Sequence, residues 1–214
     1  KARDIHGSGQ VVLEDIERQP LNYRQVLLKS SVLSRLMSAH SQPNDRVGLL
    51  LPNTNATVLS FFALQSIARI PAMLNYTAGY KGLLSAIETA QIKTVYTSRR
   101  FIQLAKMDEL ATLLEKKVQL IYLEDLRQTI TWQDKAYGVL CSLLPKVFYA
   151  YQWQAVQPDD PAVVLFTSGS EGMPKGVVLS HKNIISNAIQ LGTKIDFNKN
   201  DVILNALPLF HSFG

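Results

Sequence analysis

Only one cysteine, Cys141, occurs in 214 residues. It has no partner for an internal disulfide, so a disulfide-stapled scaffold is excluded and a reducing, cytoplasmic compartment is expected. Long apolar runs are also missing. The longest, such as 47–51 and 118–123, fall far short of the roughly 18 residues a membrane-spanning helix needs. Charge is thin, at 18% of residues, and does not cluster. The 22 basic side chains exceed the 17 acidic ones to give a net charge of +5, yet no run interleaves basic and aromatic residues as nucleic-acid binders do. Nucleic acid is therefore not an expected partner. There is no internal repeat and no low-complexity tract. What remains, 47% hydrophobic with 11 Gly and 9 Pro, is the composition of a globular chain able to bury roughly 70% of its unfolded surface.

Short β-type runs alternate with longer helical patterns. Strands are predicted at 11–13, 46–51, 70–74, 94–97, 118–123, 162–167, 176–179 and 202–206. Helices are predicted at 23–39, 55–68, 82–90, 101–117 and 182–191, with Asn22 as the N-cap of the first. This alternation predicts an α/β fold built on a largely parallel sheet flanked by helices. A boundary is expected at 154–161, where Pro158, Asp159, Asp160 and Pro161 gather before an apolar strand. The stretch 136–153 holds Tyr137, Phe148, Tyr149, Tyr151 and Trp153 with few charges. It reads either as a kinked helix packed on the sheet or as a segment lying on a membrane surface. Asn55-Ala56-Thr57 and Asn75-Tyr76-Thr77 match the glycosylation sequon but, with no secretory signal in the sequence, read as chance.

Chemistry concentrates in one segment. An apolar strand runs into Thr167-Ser168-Gly169-Ser170-Glu171-Gly172-Met173-Pro174-Lys175-Gly176, followed by a second β-rich run. Glycines let backbone N–H groups approach an anion, the hydroxyls of Thr167, Ser168 and Ser170 add donors, and Lys175 supplies a mobile positive charge. It is not a Walker loop, because Lys175 follows proline and precedes a strand, and it is not the dinucleotide fingerprint, because Gly169 and Gly172 are wrongly spaced. On residue chemistry alone two readings stay open: a polyphosphate cradle, or a turn joining two strands.

The run from Thr167 to Gly176 resembles the phosphate-binding motif of the adenylate-forming superfamily, which includes acyl-CoA synthetases, luciferases and peptide-synthetase adenylation domains. Three further segments match in order: 46–53 resembles the first core strand, and 71–77 and 206–214 resemble later motifs. Within the superfamily the likeness is strongest to the bacterial bifunctional acyl-[acyl-carrier-protein] synthetase and 2-acylglycerophosphoethanolamine acyltransferase family. It is carried by 71–79, 92–99, 118–126 and the two motifs around Lys175 and His211, with Glu171 where most relatives have threonine.

The resemblance implies that ATP and a fatty acid give an acyl-adenylate and pyrophosphate. The acyl group then passes to the phosphopantetheine thiol of acyl carrier protein, and a separate acyltransferase domain reacylates a lysophospholipid. ATP and Mg2+ are the implied cofactors. The loop would hold the β and γ phosphates through Thr167, Ser168, Gly169, Ser170, Glu171 and Gly172, with Lys175 neutralising the departing pyrophosphate. His211 matches the motif histidine near the carboxylate and the thiol entrance; its alternative is a buried histidine closing a strand end. No metal ligand is assigned. His6, His40 and His181 read as surface or capping residues. His40 and Asp45 match the His-x4-Asp pattern of glycerolipid acyltransferases but sit in a polar connector containing Pro43, and are rejected as catalytic.

Lys1 is not an initiator methionine and the chain stops at Gly214 inside an apolar motif, so an excised portion of a longer protein is expected. The superfamily's adenine, ribose, magnesium, hinge and C-terminal lysine motifs do not occur in it, so the portion alone is expected to be inactive. Apolar surface left bare beyond 200 would favour self-association. The complete protein is expected at the inner face of the bacterial cytoplasmic membrane. Coenzyme A as acceptor, and a non-catalytic nucleotide-binding or interaction domain, are the two alternative functions.

Overall fold

The computed structural model describes residues 2–147, 156–168, 174–198 and 200–211. A short helix α1 (Ala2–His6) and an antiparallel pair, β1 (Val11–Leu13) with β2 (Leu21–Asn22), precede the main body. Helix α2 (Tyr23–Met37) begins where the sequence places it. The Asn22 Oδ1 accepts from Gln25 N while Gln25 Oε1 accepts from Asn22 N, each at 2.9 Å, satisfying two orphan donors reciprocally.

There follow β3 (Arg46–Leu49), α3 (Asn55–Ser66), β4 (Ile70–Met73), α4 (Gly79–Thr89), β5 (Thr94–Thr97), α5 (Arg99–Leu104), α6 (Asp108–Glu115), β6 (Gln119–Tyr122), α7 (Leu123–Gln128) and α8 (Trp132–Leu143). The chain closes with the hairpin β7 (Pro161–Ser168) and β8 (Pro174–Ser180), then α9 (His181–Gly192). Six strands form one sheet in the order β6-β5-β3-β4-β7-β8. All neighbours are parallel except the last pair, so the fold is the expected α/β type with a mostly parallel sheet.

Strand alternation divides the core into two layers. Ile70, Ala72 and Leu74, with Leu50, Val95 and Val164, face α4 to α6 on one side; Val47, Leu49, Met73, Tyr96 and Val163 face Met37, Ala63 and Leu64 of α2 and α3 on the other. Gly48 lies at the centre of this sheet, paired with Ala72 on one side and Val95 on the other.

Three expectations need correcting. The run 101–117 is not one helix, because α5 stops at Leu104 and α6 starts at Asp108. Lys106 takes φ 54°, its N–H reaches Gln103 O and the Met107 N–H reaches Ile102 O, which together make a Schellman stop. Ala68 and Gln91 end α3 and α4 the same way, at φ 56° and 54°. No glycine or asparagine marks any of the three, so the pattern of apolar residues runs on past the true ends. Lys106→Gly is expected to raise the midpoint of urea unfolding, by up to about 1 kcal/mol in stability, because a side chain in this conformation is strained. An unchanged or lower midpoint would count against that account.

The second correction concerns 202–206, which form no strand. Val202, Ile203 and Leu204 are exposed, at 94%, 73% and 89%, and make no ladder among the described residues. The third concerns the stretch 136–153. Its described part belongs largely to α8, which packs on α2 rather than on the sheet: Gly138 sits against Leu28 and Val32, and Asp134 pairs with Arg35 at 2.8 Å. The rest of that stretch, like residues 154–155 of the expected boundary, lies outside the described residues.

Candidate functional site

In a parallel α/β sheet the loops leaving the C-terminal ends of the strands converge on one edge, and ligands are bound there. Three of the matched segments reach this edge. Asn53 follows β3, Asn75 and Tyr76 follow β4, and the 207–211 loop rests on both. Asn53 bonds to Leu207 and Leu209, and the buried Phe210 ring meets Tyr76 edge-on with centroids 4.9 Å apart. Tyr76 in turn stacks edge-on with Phe101 at 5.1 Å. Asn75 Oδ1 accepts from Thr77 N and Thr77 Oγ1, which fixes the turn carrying Tyr76.

The hairpin of β7 and β8 opens at the same edge. Its register pairs Val163 with Leu179, Leu165 with Val177 and Thr167 with Lys175. Directly opposed residues of an antiparallel ladder share a face, so Thr167 and Lys175 stand side by side on the face that carries Val163, Leu165 and Leu179. Thr167 and Lys175 are both exposed, so both can meet a solvent-borne anion. Gly169, Ser170, Glu171 and Gly172 lie outside the described residues, as does the side chain of Ser168.

The same face bounds a cavity of about 440 Å³ between α3 and α9. Phe61, Met73, Val163, Leu165 and Leu179 give it apolar walls, and His211 lies at its border beside Leu209. His211 is exposed and sits in a turn closed by its own N–H to Pro208 O at 2.9 Å, so the alternative of a buried histidine ending a strand does not hold. Lys175, Thr167 and His211 thus lie on one side of the sheet, while the described residues hold no group of three or more His, Cys, Asp or Glu that could bind a metal ion. The donors present, a hydroxyl and an ammonium beside a small-residue loop, fit a polyphosphate.

Glu124, His181 and Asp45 have structural surroundings of their own. Burial favours the neutral form of Glu124, yet hydrogen bonds from Ser98 Oγ and the N–H groups of Arg99 and Arg100 outweigh it and hold the carboxyl below its ordinary 4.5. Its support for the start of α5 is complete above that value and fades as pH falls through the lowered one. His181 opens α9, where burial pulls its pKa below 6.5 against the opposing charge of Asp160. The His40–Asp45 connector lies at the opposite, N-terminal edge of the sheet, with the Asp45 carboxylate accepting from Gln42 N at 2.7 Å. Asn53 and Tyr76 belong to the quoted motif segments, but sequence reasoning gave them no role. The available signal was their place just past the ends of two predicted strands.

The mostly parallel α/β sheet flanked by helices is a fold this chain shares with solved coenzyme A synthetases. The chain belongs to the AMP-binding enzyme family, whose pattern matches residues 6–214. It is similar to 4-coumarate–CoA ligase 1 of Petroselinum crispum, 26% identical over 97% of this chain and 37% of that protein. It is also similar to the medium-chain-fatty-acid–[acyl-carrier-protein] ligase TtuA of Teredinibacter turnerae, 26% identical over 94% of this chain and 35% of that one. Among solved structures, o-succinylbenzoate coenzyme A synthetase from Bacillus subtilis, in complex with ATP and magnesium ion, superposes with a TM-score of 0.75. It is 20% identical, with 98% of this chain and 50% of that chain covered. The chain spans about a third of the length of these two curated relatives.

Proposed function

We propose that the chain forms the polyphosphate-binding part of a ligase that activates a fatty acid with ATP and passes the acyl group to the phosphopantetheine thiol of acyl carrier protein. The observation that carries this reading is the pairing of Thr167 with Lys175 at the C-terminal edge of the sheet, on the face whose apolar cavity ends at His211. ATP, with Mg2+, is the co-substrate: a carboxylate oxygen bonds to the α-phosphorus, the bond to the bridging oxygen breaks, and pyrophosphate leaves with its electron pair. Thr167 and Lys175 bind the outgoing phosphates, Lys175 countering the charge that grows there. The loop residues Ser168 to Gly172 complete the cradle. His211 stands where the acyl carboxylate and the incoming thiol meet, and the apolar walls take the hydrocarbon.

The match to TtuA supports acyl carrier protein as acceptor. Coenzyme A is the second reading, supported by the match to 4-coumarate–CoA ligase at the same identity and slightly greater coverage. Reacylation of lysophospholipid at the inner membrane face, as in the bifunctional bacterial branch, extends the first reading. The test is carboxylic-acid-dependent exchange of pyrophosphate into ATP by the intact protein, across fatty and aromatic acids, followed by transfer of labelled acyl groups to holo carrier protein or coenzyme A. Exchange that requires a fatty acid, with transfer to carrier protein, is expected. Nucleotide binding without exchange for any acid would leave a non-catalytic domain.

A further inference from the structure

The segment bearing His211 arrives at the site without secondary structure of its own. From Asp201 to Leu207 it is exposed, and among the described residues no strand or helix precedes His211 after α9. A histidine on such a segment needs an anchor, and the structure supplies one from 154 residues away. Asn53 Nδ2 donates to Leu207 O at 2.6 Å, and Leu209 N donates to Asn53 Oδ1 at 2.8 Å. The side-chain amide therefore brackets Pro208, engaging the carbonyl before it and the N–H after it. In a parallel ladder one residue of the neighbouring strand makes these same two bonds. Proline has no N–H to offer, so the groups on either side of Pro208 are the ones such a partner must take.

We infer that Asn53 is a positioning residue: its amide acts as a one-residue strand that fixes the backbone two positions before His211, while Phe210 against Tyr76 sets the rotation of the turn. The donor and acceptor ends are both required, and the fixed length of the side chain sets the register. Asn53 is itself held by the chain leaving the central strand β3, through Pro52, whose carbonyl accepts from Thr57 Oγ1 at the start of α3. The position of His211 is thus referred to the most buried part of the sheet rather than to the exposed segment that precedes it. That His211 acts on substrate rests on the function proposed above; the clamp itself does not.

The experiment compares wild type with Asn53→Ala and Asn53→Asp in the intact protein, by two readouts. Amide hydrogen exchange at Leu209 reads the clamp. Asn53→Ala should raise it about tenfold or more, whereas Asn53→Asp, which keeps the acceptor and loses the donor, should leave Leu209 partly protected. Acid-dependent pyrophosphate exchange and thiol transfer read the consequence. The rate constant kcat should fall about tenfold to a hundredfold in Asn53→Ala while the KM for ATP stays near wild type, because misplacement touches the acyl side and not Lys175. Leu209 protection that is the same in all three proteins overturns the inference, as does lost protection with unaltered kcat. If wild type shows no acid-dependent exchange while Leu209 protection still follows residue 53, the clamp is supported and the ligase reading falls. Should Asn53→Ala not fold, Asn53→Asp alone decides, since it conserves volume and one of the two bonds.

Discussion

Lys175→Ala is expected to lower acid-dependent pyrophosphate exchange by about a hundredfold or more, with the fold unchanged. The side chain stands beside Thr167 at the mouth of the hairpin, exposed, with no role in the two core layers. Its removal costs charge and little packing. The negative charge on a departing pyrophosphate grows toward the transition state, so a fixed ammonium contributes more to kcat than to nucleotide affinity. Losing one such preorganised contact typically costs about two to three orders of magnitude. Lys175→Arg should recover only part of the rate, because a planar fork does not replace a compact point charge on a strand of fixed register. Thr167→Ala should cost less, since a hydroxyl contributes one neutral hydrogen bond. Initial exchange rates at saturating acid, with circular dichroism as the folding control, check all three. A Lys175→Ala protein within about threefold of wild type would remove Lys175 from the mechanism.

The largest structural effect is expected at Gly48. A Cβ there would come within 2.8 Å of Val95 Cγ2 and 2.9 Å of Leu74 Cδ1, closer than packed carbons approach. Val95 is β-branched and held between β6 and β3, so its χ1 is restricted and its methyl cannot swing away cheaply. Gly48→Val should therefore separate the central strands and yield insoluble protein, and Gly48→Ala should cost about 2–3 kcal/mol. Expression yield and urea denaturation measure the two. A Gly48→Ala protein as stable as wild type would mean that the sheet absorbs the methyl by shifting.

The central sheet was legible because its strands are short apolar runs bounded by helical periodicity, and the α2 cap was legible because Asn22 stands just before the helical spacing begins; the reciprocal bond from Gln25 was not foreseen. The helix stops at Ala68, Gln91 and Lys106 were not, since each uses a left-handed residue with no glycine to announce it. Residues 202–206 show the complementary failure. Val202, Ile203 and Leu204 have strand propensity, but a strand exists only where a neighbour supplies a ladder, and composition does not encode that neighbour. In the site, Lys175 and His211 were found by chemical type and motif. Asn53 was not, because its role is a pairing across 154 residues that local pattern cannot express.

The order of strands also bears on how the molecule is assembled. Strands β3 to β6 lie within residues 46–122; β3 with β4 and β5 with β6 pair across one βαβ unit, and β3 with β5 across two. The hairpin joins their ladder through Ala72 to Val164 and Met73 to Leu165, and packs on both core layers through Val163 and Val164, helped by the Gln65 amide on Ala162 O. Closing that long loop is entropically demanding, and its ladder forms only against a β4 that is already paired in the four-stranded core. The strands bearing Thr167 and Lys175 are therefore expected to be added late, onto a preformed platform. A slow or damaged folding reaction would first forfeit the phosphate-facing hairpin while leaving the four-stranded core intact.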